Sequence, residues 1–336
     1  MSSFIKKNWF VSLLVVVFAA VSVYYIYDTN KGKLKGKTSN GQDVVYSIGD
    51  KDVTAEEFYD ELYEGSGTSV LYQSFVKAVA EQSAETTDKM KEDAKAQASS
   101  VISNYASSYP SNYKEMLDSQ LKALGYKGYD DLENYLINYY KELQITADYA
   151  DAHFDDLKIR NISYLLVKFE NGDSGEGTPT EDEQKRMDAV DAAFTEGKTF
   201  AEVAKEFSED TSTASSGGIL GTVDANTTTL DSSFLNAALA LKEGEVSDWV
   251  YSSNFGYFRI MNNASTSETL LKVFREQNSI PEETEITTSD VYSSLLSSYD
   301  TTLADRALWE KGQELGVTFA DAEQEGKLKT TLGIEE

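Results

Sequence analysis

Two adjacent glycines, Gly217 and Gly218, and a third at Gly221 end the stretch FAEVAKEFSEDTSTASSGGILG and constrain what it can fold into. An amphipathic segment and an acidic, Ser/Thr-rich loop precede them, and GGILGTV reads as a strand. Adjacent glycines at the start of a strand supply positive φ angles or allow close backbone approach. A phosphate-binding loop is disfavoured, because the P-loop lysine is missing and the glycines precede a strand rather than a helix. The stretch therefore predicts a tight helix-to-strand connection.

The residues around this connection predict a small α+β domain over 158–262. KIRNISYLLVKF is β-branched and aromatic, as strands are. Thr180 with Glu183, and Thr199 with Glu202, have the spacing of capping boxes that open two helices. FLNAALALKEG predicts a third helix, and EVSDWVYSS and YFRIMN predict two strands. The predicted order is βααβαββ around a small antiparallel sheet.

Helices are predicted on both sides of this domain. In residues 44–157, VVYSI reads as a short strand, and residues 50–155 read as an all-helical region that Thr54 and Glu57 cap at its start. In residues 263–336, ETLLKVFREQ and SDVYSSLLSSYDTTLADRALWEKGQEL each read as one helix, and an acidic tail follows. We expect the C-terminal segment to pack on the helical domain.

The N-terminus predicts a membrane anchor. Trp9 to Tyr27 is 19 residues without a charge, long enough to span a bilayer, with aromatic residues at both ends. The expected arrangement is a cytoplasmic tail at 1–8, a single transmembrane signal-anchor at 9–27 and a linker at 28–43. A cleaved signal peptide is the alternative. Lysines after the segment favour an inside C-terminus, but the acidic, cysteine-free body of the chain favours the extracytoplasmic side.

Charge and composition exclude several classes of function. The net charge is −27, and residues 1–37 carry +5 of their own, which leaves −32 for the body. Such a surface repels nucleic acid. Because there is no cysteine, the chain has no disulfide, zinc-thiolate site or thiol nucleophile. The one histidine, His153, reads as a helix-end or surface residue and leaves histidine triads poorly supported. No metal, nucleotide or redox cofactor is implied.

The order and spacing of FAEVAKEFSED, GGILG, FLNAALALKEGEVSDWV and FGYFRI resemble the parvulin family of peptidyl-prolyl cis-trans isomerases. The resemblance covers about residues 159–262. With a helical region and an apolar N-terminus, the whole chain resembles PrsA/SurA-type extracytoplasmic foldases. VTAEEFYDEL and LKALGYKGYDDLENYL are similar, less specifically, to the chaperone domain of those proteins.

The resemblance implies a set of site residues. The acidic position of the active-site loop falls on Asp210, or less readily on Thr211, and the two family histidines are replaced by Tyr164 and Phe258. Ile219 and Val223 stand where the family has an acidic and an aromatic residue. The implied catalytic residues are Asp210, Tyr164 and Ser208. The implied substrate-binding residues are Phe234, Leu230, Phe258 and Val223. The implied structural turn is Gly217, Gly218, Leu220 and Gly221.

Three functions remain open from the sequence. The first is an active isomerase that binds X-Pro segments of unfolded or nascent exported polypeptides. The second is a non-catalytic holdase with a degenerate parvulin domain, favoured by the loss of both histidines. The third is an anchored surface protein without a folding role. The sequence leaves homodimerisation open. A tyrosine cluster in the helical region could contact clients or pack within its domain: Tyr126, Tyr129, Tyr135, Tyr139 and Tyr140.

Overall fold

The computed structural model of the chain describes residues 36–83, 85–169 and 177–334. The chain divides into two compact units, Met1–Gly67 and Thr68–Glu336. The segment 9–27, which the sequence predicts to span a membrane, lies outside the described residues. Within the described ranges, no helix combines the length and the apolar character that crossing a membrane requires.

The described part of the first unit is a three-stranded antiparallel sheet followed by a helix. Its elements are β1 (Thr38–Ser39), β2 (Gln42–Ile48), β3 (Lys51–Thr54), α1 (Ala55–Leu62) and a π-helical turn (Tyr63–Gly67). The expectation of helices from residue 50 is wrong for β3, because Val53 pairs with Tyr46 across the ladder. The predicted capping box is confirmed: Thr54 Oγ1 accepts from the Glu57 amide at 3.2 Å, and the Glu57 carboxylate accepts from the Thr54 amide at 2.9 Å.

The second unit begins with a helical region. Its elements are α2 (Thr68–Ser83), α3 (Asp88–Ser108), α4 (Tyr113–Ala123), a 3₁₀ turn (Tyr129–Asp131), α5 (Leu132–Ala152) and α6 (Phe154–Leu157). Two of the clustered tyrosines pack inside this region: Tyr126 is buried and meets the Tyr135 ring edge-on at 5.4 Å. Tyr139 is 44% exposed and is therefore available to solvent.

The predicted βααβαββ order is confirmed. Its elements are β4 (Arg160–Lys168), α7 (Glu181–Thr195), α8 (Phe200–Phe207), β5 (Ile219–Val223), α9 (Ser232–Ala240), β6 (Val250–Ser252) and β7 (Gly256–Ala264). The sheet is antiparallel with strand order β5-β4-β7-β6. Residues alternate between its two faces. Leu165 therefore packs against α7 and α8, whereas Ile162 and Leu166 pack against α9.

The C-terminal segment differs from its prediction in two places. Its helices are α10 (Ser267–Gln277), α11 (Thr288–Ser298), α12 (Leu303–Glu314) and α13 (Ala322–Thr331). The expected single helix after residue 289 breaks between α11 and α12, where the Asp300 carboxylate accepts from the Thr302 amide at 3.0 Å. The expected acidic tail instead contains α13. Leu328 on this helix and Leu332 directly after it are fully buried. Helices α12 and α13 pack against α2 and α5.

The glycine pair fits tightly against β4. Gly217 and Gly218 have φ angles of +77° and +82°. The Gly218 carbonyl accepts from the Tyr164 amide at 2.8 Å, and a Cβ atom on Gly218 would lie 2.2 Å from the Tyr164 carbonyl oxygen. The connection therefore needs glycine both for its backbone conformation and for its distance from β4.

Substitution of Gly218 tests this close approach. Gly197, in the same domain, has φ +90° and open space around its missing Cβ. Gly197→Ala should cost about 1–2 kcal/mol from left-handed strain alone. Gly218→Ala should cost about 1–3 kcal/mol more, because it adds a steric clash. The thermal midpoints of the two variants measure the difference, and equal midpoints would contradict the clash.

A buried pair of carboxyl groups joins the end of β5 to the break between α11 and α12. Asp224 and Asp300 are 0% and 1% exposed, and their carboxyl groups are close neighbours. Asp300 also forms an ion pair with Arg306 at 2.5 Å. Burial and the neighbouring Asp300 carboxylate raise the pKa of Asp224 to about 7. The pair therefore holds a proton that the unfolded chain releases at lower pH.

This proton makes stability depend on pH with a definite sign. The folded-state pKa of Asp224 lies above its ordinary 3.8, so its contribution to stability is complete below about pH 4 and is lost as pH rises to about 7. Asp224→Asn keeps a donor toward Asp300 at every pH. The thermal midpoint of the variant should therefore rise relative to that of the native chain between about pH 4 and 7. Asp148→Asn controls for net charge, and a difference independent of pH would refute the shared proton.

Candidate functional site

A cleft of about 290 Å³ opens on the α9 face of the βααβαββ domain. Strands β4, β5 and β7 form its floor, the loop before α9 forms one wall, and the β6–β7 turn forms its lip. The lining residues are Tyr164, Leu166, Lys168, Asp210, Leu220, Thr229, Leu230, Asp231, Phe234, Phe255 and Phe258. The cleft is thus largely apolar, and its polar lining residues are Lys168, Asp210, Thr229 and Asp231.

Three mutually perpendicular aromatic rings build the apolar part of the cleft. Phe234 contacts Phe258 at a centroid distance of 5.0 Å and Tyr164 at 5.5 Å, and Tyr164 contacts Phe258 at 5.7 Å. The interplanar angles are 70–87°, the edge-to-face geometry that aromatic quadrupoles favour. Tyr164 on β4 and Phe258 on β7 lie on one sheet face, and Phe234 reaches them from α9.

Several hydroxyl groups donate hydrogen bonds to the Asp210 carboxylate. The Tyr164 hydroxyl donates to Asp210 Oδ2, and Thr213 Oγ1 donates to the same oxygen at 2.6 Å. The Ser212 hydroxyl donates at 2.8 Å and the Ser212 amide at 3.1 Å. The loop between α8 and the glycine pair therefore folds around this carboxylate. The sequence signal is the short Asp-Thr-Ser-Thr run, whose side chains bond locally.

These contacts fix the ionisation of both groups. Partial burial raises the pKa of Asp210, but the donors Thr213, Tyr164 and Ser212 outweigh it and bring the pKa to about 2. Burial and the Asp210 carboxylate raise the pKa of Tyr164 to about 12. At neutral pH the cleft therefore holds a carboxylate and a neutral phenol that donates to it.

The other residues named by the resemblance fall in different places. Phe234, Leu230, Phe258, Tyr164, Asp210 and Leu220 line the cleft together. Ser208 is outside the lining, and its hydroxyl accepts from the Leu166 and Asp210 amides at 3.2 and 3.4 Å. Val223 is fully buried behind the cleft in the core around α9. His153 lies 3.1 Å from the Glu310 carboxylate, outside the βααβαββ domain.

Sequence reasoning missed several cleft residues. Phe255, 51% exposed, lies at the lip in the turn between β6 and β7. Asp231 caps α9 by accepting from the Phe234 amide at 3.3 Å, and its other oxygen accepts from the Ser252 hydroxyl at 2.9 Å. Because side chains alternate along β4, Leu166 lies on the same face as Tyr164, and the sequence could have predicted Leu166 as a cleft residue. No local sequence pattern predicts the contact between Asp231 and Ser252, which are 21 residues apart in the chain.

A family model for the rotamase, PPIC-type PPIase domain, matches residues 165–262. The match spans the glycine turn, α9 and the last two strands, and its boundaries coincide closely with the βααβαββ domain. The fold and the match together define a parvulin-type domain. The resemblance predicted from the motif series is confirmed.

The curated relatives that match this region are foldase proteins called PrsA. The foldase protein PrsA of Clostridium botulinum (strain 657 / Type Ba4) is 40% identical over 108 residues, which are 31% of this chain and 26% of that protein. The foldase protein PrsA of Clostridium kluyveri (strain ATCC 8527) is 34% identical over 152 residues, 43% of this chain and 39% of that protein. The aligned region therefore spans less than half the length of these relatives.

Solved structures of PrsA proteins also match the chain. The peptidylprolyl isomerase PrsA from Bacillus cereus is 19% identical with a TM-score of 0.40, covering 88% of this chain and 99% of that chain. PrsA from Bacillus subtilis is 24% identical with a TM-score of 0.30, covering 85% and 98%.

The hydrogen bonds to Asp210 should make the thermal stability of the chain depend on pH in the acid range. The folded-state pKa of about 2 lies below the ordinary 3.8, so the stability from this group is present above about pH 4 and is lost as pH falls toward 2. Asp210→Asn should therefore lower the thermal midpoint at about pH 6, and the deficit should shrink toward about pH 2.5. Asp188→Asn removes another carboxylate of the same domain and serves as the charge control. A deficit that does not change with pH would show that the carboxylate is not held in this way.

Proposed function

We propose that this chain is a membrane-anchored extracytoplasmic foldase whose parvulin-type domain catalyses cis-trans isomerisation of X-Pro bonds in exported polypeptides. The observation that carries the proposal is the cleft itself: an apolar aromatic slot with an ionised Asp210 at its polar end, inside a domain of PPIC type. The foldase name of the relatives supports the wider role.

The slot suits the ring of proline. X-Pro is the one peptide bond whose cis form is close in free energy to trans. A pyrrolidine ring is compact and apolar, and the Phe234 and Phe258 rings with Leu230 offer an apolar surface for it. Anchoring the ring leaves the carbonyl on the N-terminal side of the proline free to rotate. Rotation must overcome a barrier of about 18–20 kcal/mol that comes from amide resonance.

Asp210 is suited to lowering that barrier. In the planar amide, resonance puts partial negative charge on the carbonyl oxygen, and twisting the C–N bond removes much of this charge. A fixed carboxylate beside the oxygen therefore repels the planar amide more than the twisted one. Such differential interaction accelerates rotation without a covalent step or a proton transfer. Tyr164, Thr213 and Ser212 hold Asp210 in its ionised form.

Anchoring and client binding complete the proposal. Trp9–Tyr27 would hold the chain in the membrane with its acidic body on the extracytoplasmic side. The helical region would bind unfolded clients through exposed aromatic surface such as Tyr139. The net charge of −27 favours clients with basic segments.

A holdase without catalysis is the second candidate. The observation in its favour is Phe258, an apolar ring at a position where the family has a histidine. Its side chain is buried among Tyr164, Phe234 and Phe255 and offers no hydrogen bond to a substrate. In this case the cleft would bind proline segments and leave their isomerisation rate unchanged.

A protease-coupled isomerisation assay on an X-Pro peptide tests the proposal. The native full-length chain should accelerate isomerisation above buffer. Asp210→Asn should lower kcat/KM about tenfold or more, because it keeps the size and several hydrogen bonds of the side chain but removes its charge. Phe234→Leu should raise KM by weakening the aromatic slot. Phe194→Leu makes the same change on the opposite sheet face and should leave both constants near the native values.

The outcomes separate the two functions. Catalysis that falls in Asp210→Asn supports the electrostatic mechanism. Catalysis that is unchanged in that variant rules out a role for the Asp210 charge. A native chain that binds the peptide, measured by fluorescence anisotropy, but gives no acceleration would replace the isomerase with the holdase.

A further inference from the structure

The wall of the cleft is supported from outside the parvulin-type domain. Three consecutive residues at the C-terminal end of α11, Ser298 to Asp300, contact the domain on the same side. The Thr229 hydroxyl donates to the Ser298 carbonyl at 3.2 Å, and the Tyr299 hydroxyl donates to the Leu220 carbonyl at 3.3 Å. The buried Asp300 carboxylate neighbours Asp224 at the end of β5. Leu220 and Thr229 both line the cleft.

The hydrogen bond from Tyr299 to Leu220 lies at a bulge in the sheet. The β4–β5 register passes from Ile162↔Gly221 to Ser163↔Ile219, so Leu220 lies in a bulge without a partner in the ladder. Strand β5 is also an edge strand, because the order of the sheet is β5-β4-β7-β6. A bulge disrupts the ladder locally, and an edge strand has unpaired backbone groups that proteins often cover with a helix or loop. Helix α11 packs against β5 and provides that cover.

Tyr299 is the residue that links the two cores. Its half-buried ring packs against the core around α9, which contains Phe234, Leu230 and Leu220. The same ring packs against the core formed by α5, α10 and α11, which contains Leu295. Tyr299 lies 65 residues after Phe234, in a segment beyond the family match at 165–262.

We propose that Tyr299 is a positioning residue of the isomerase site: with Ser298 and Asp300 it holds Leu220 and the Thr229–Leu230 loop at the spacing that admits a proline ring. The inference rests on the proposed function, since it assigns the cleft to proline. It predicts that the cleft is complete only when the C-terminal helices are in place. It also makes α11 a physical connection between the helical region and the cleft.

The experiment compares Tyr299→Ala with Leu296→Ala in the full-length chain. Leu296 lies on α11, three residues before Tyr299, and packs against the core of α5, α10 and α11, so it controls for loss of apolar contact there. Tyr299→Ala should raise KM for an X-Pro peptide about fivefold and leave kcat within about twofold, because binding geometry is lost and the Asp210 network is kept. Leu296→Ala should leave both constants within about twofold of the native values. Tyr299→Phe should recover most of the affinity, because it restores the ring.

Hydrogen exchange provides a readout that does not depend on catalysis. Tyr299→Ala should accelerate amide exchange in residues 219–223 and 229–235, and Leu296→Ala should not. If the native chain proves inactive, the proposed function fails, while the exchange pattern still decides whether Tyr299 holds the wall. Equal exchange in the two variants, or equal changes of KM, would overturn the assignment of Tyr299.

Discussion

The close approach of Gly218 to Tyr164 is the contact on which the cleft depends. Without a Cβ at Gly218, the chain after α8 can lie against β4, where the Gly218 carbonyl accepts from the Tyr164 amide at 2.8 Å. That approach starts β5 and places the preceding loop over Tyr164. The loop then brings Asp210 to the Tyr164 hydroxyl. One backbone contact therefore aligns the sheet, the loop and the carboxylate.

Where the family resemblance implies two histidines, the cleft has an aromatic and hydroxyl network. Tyr164 keeps a hydrogen bond to the loop, and Phe258 contributes only ring surface. The Asp210 carboxylate lies beside this network and is held ionised by three side-chain hydroxyls. Because isomerisation needs no proton transfer, an ionised carboxylate and an apolar slot contain the elements that the proposed chemistry requires.

The parvulin-type domain is not packed as an isolated module. A continuous core joins Ala147 and Ala150 of α5 to Ala264 at the end of β7 and to Leu295 of α11. The pair of Asp224 and Asp300 adds a buried polar link beside it. Buried carboxyl groups are costly unless they are paired, so their presence indicates that the two segments are held together closely. The helical region and the parvulin-type domain are therefore joined by a shared hydrophobic core.

Local patterns in the sequence determined the capping boxes at Thr54, Thr180 and Thr199, the βααβαββ order and the glycine turn. Each depends on residues close together in the chain, where spacing alone defines the geometry. The identities of Tyr164, Asp210 and Phe234 as neighbours came from resemblance. Tertiary structure decided the rest: the break before Leu303, the helix Ala322–Thr331, the buried position of Val223 and the support of Leu220 by Tyr299. These features depend on contacts between segments that are distant in the sequence. Side-chain periodicity does not predict such contacts, because the burial and hydrogen bonds of a residue depend on which other segment packs against it.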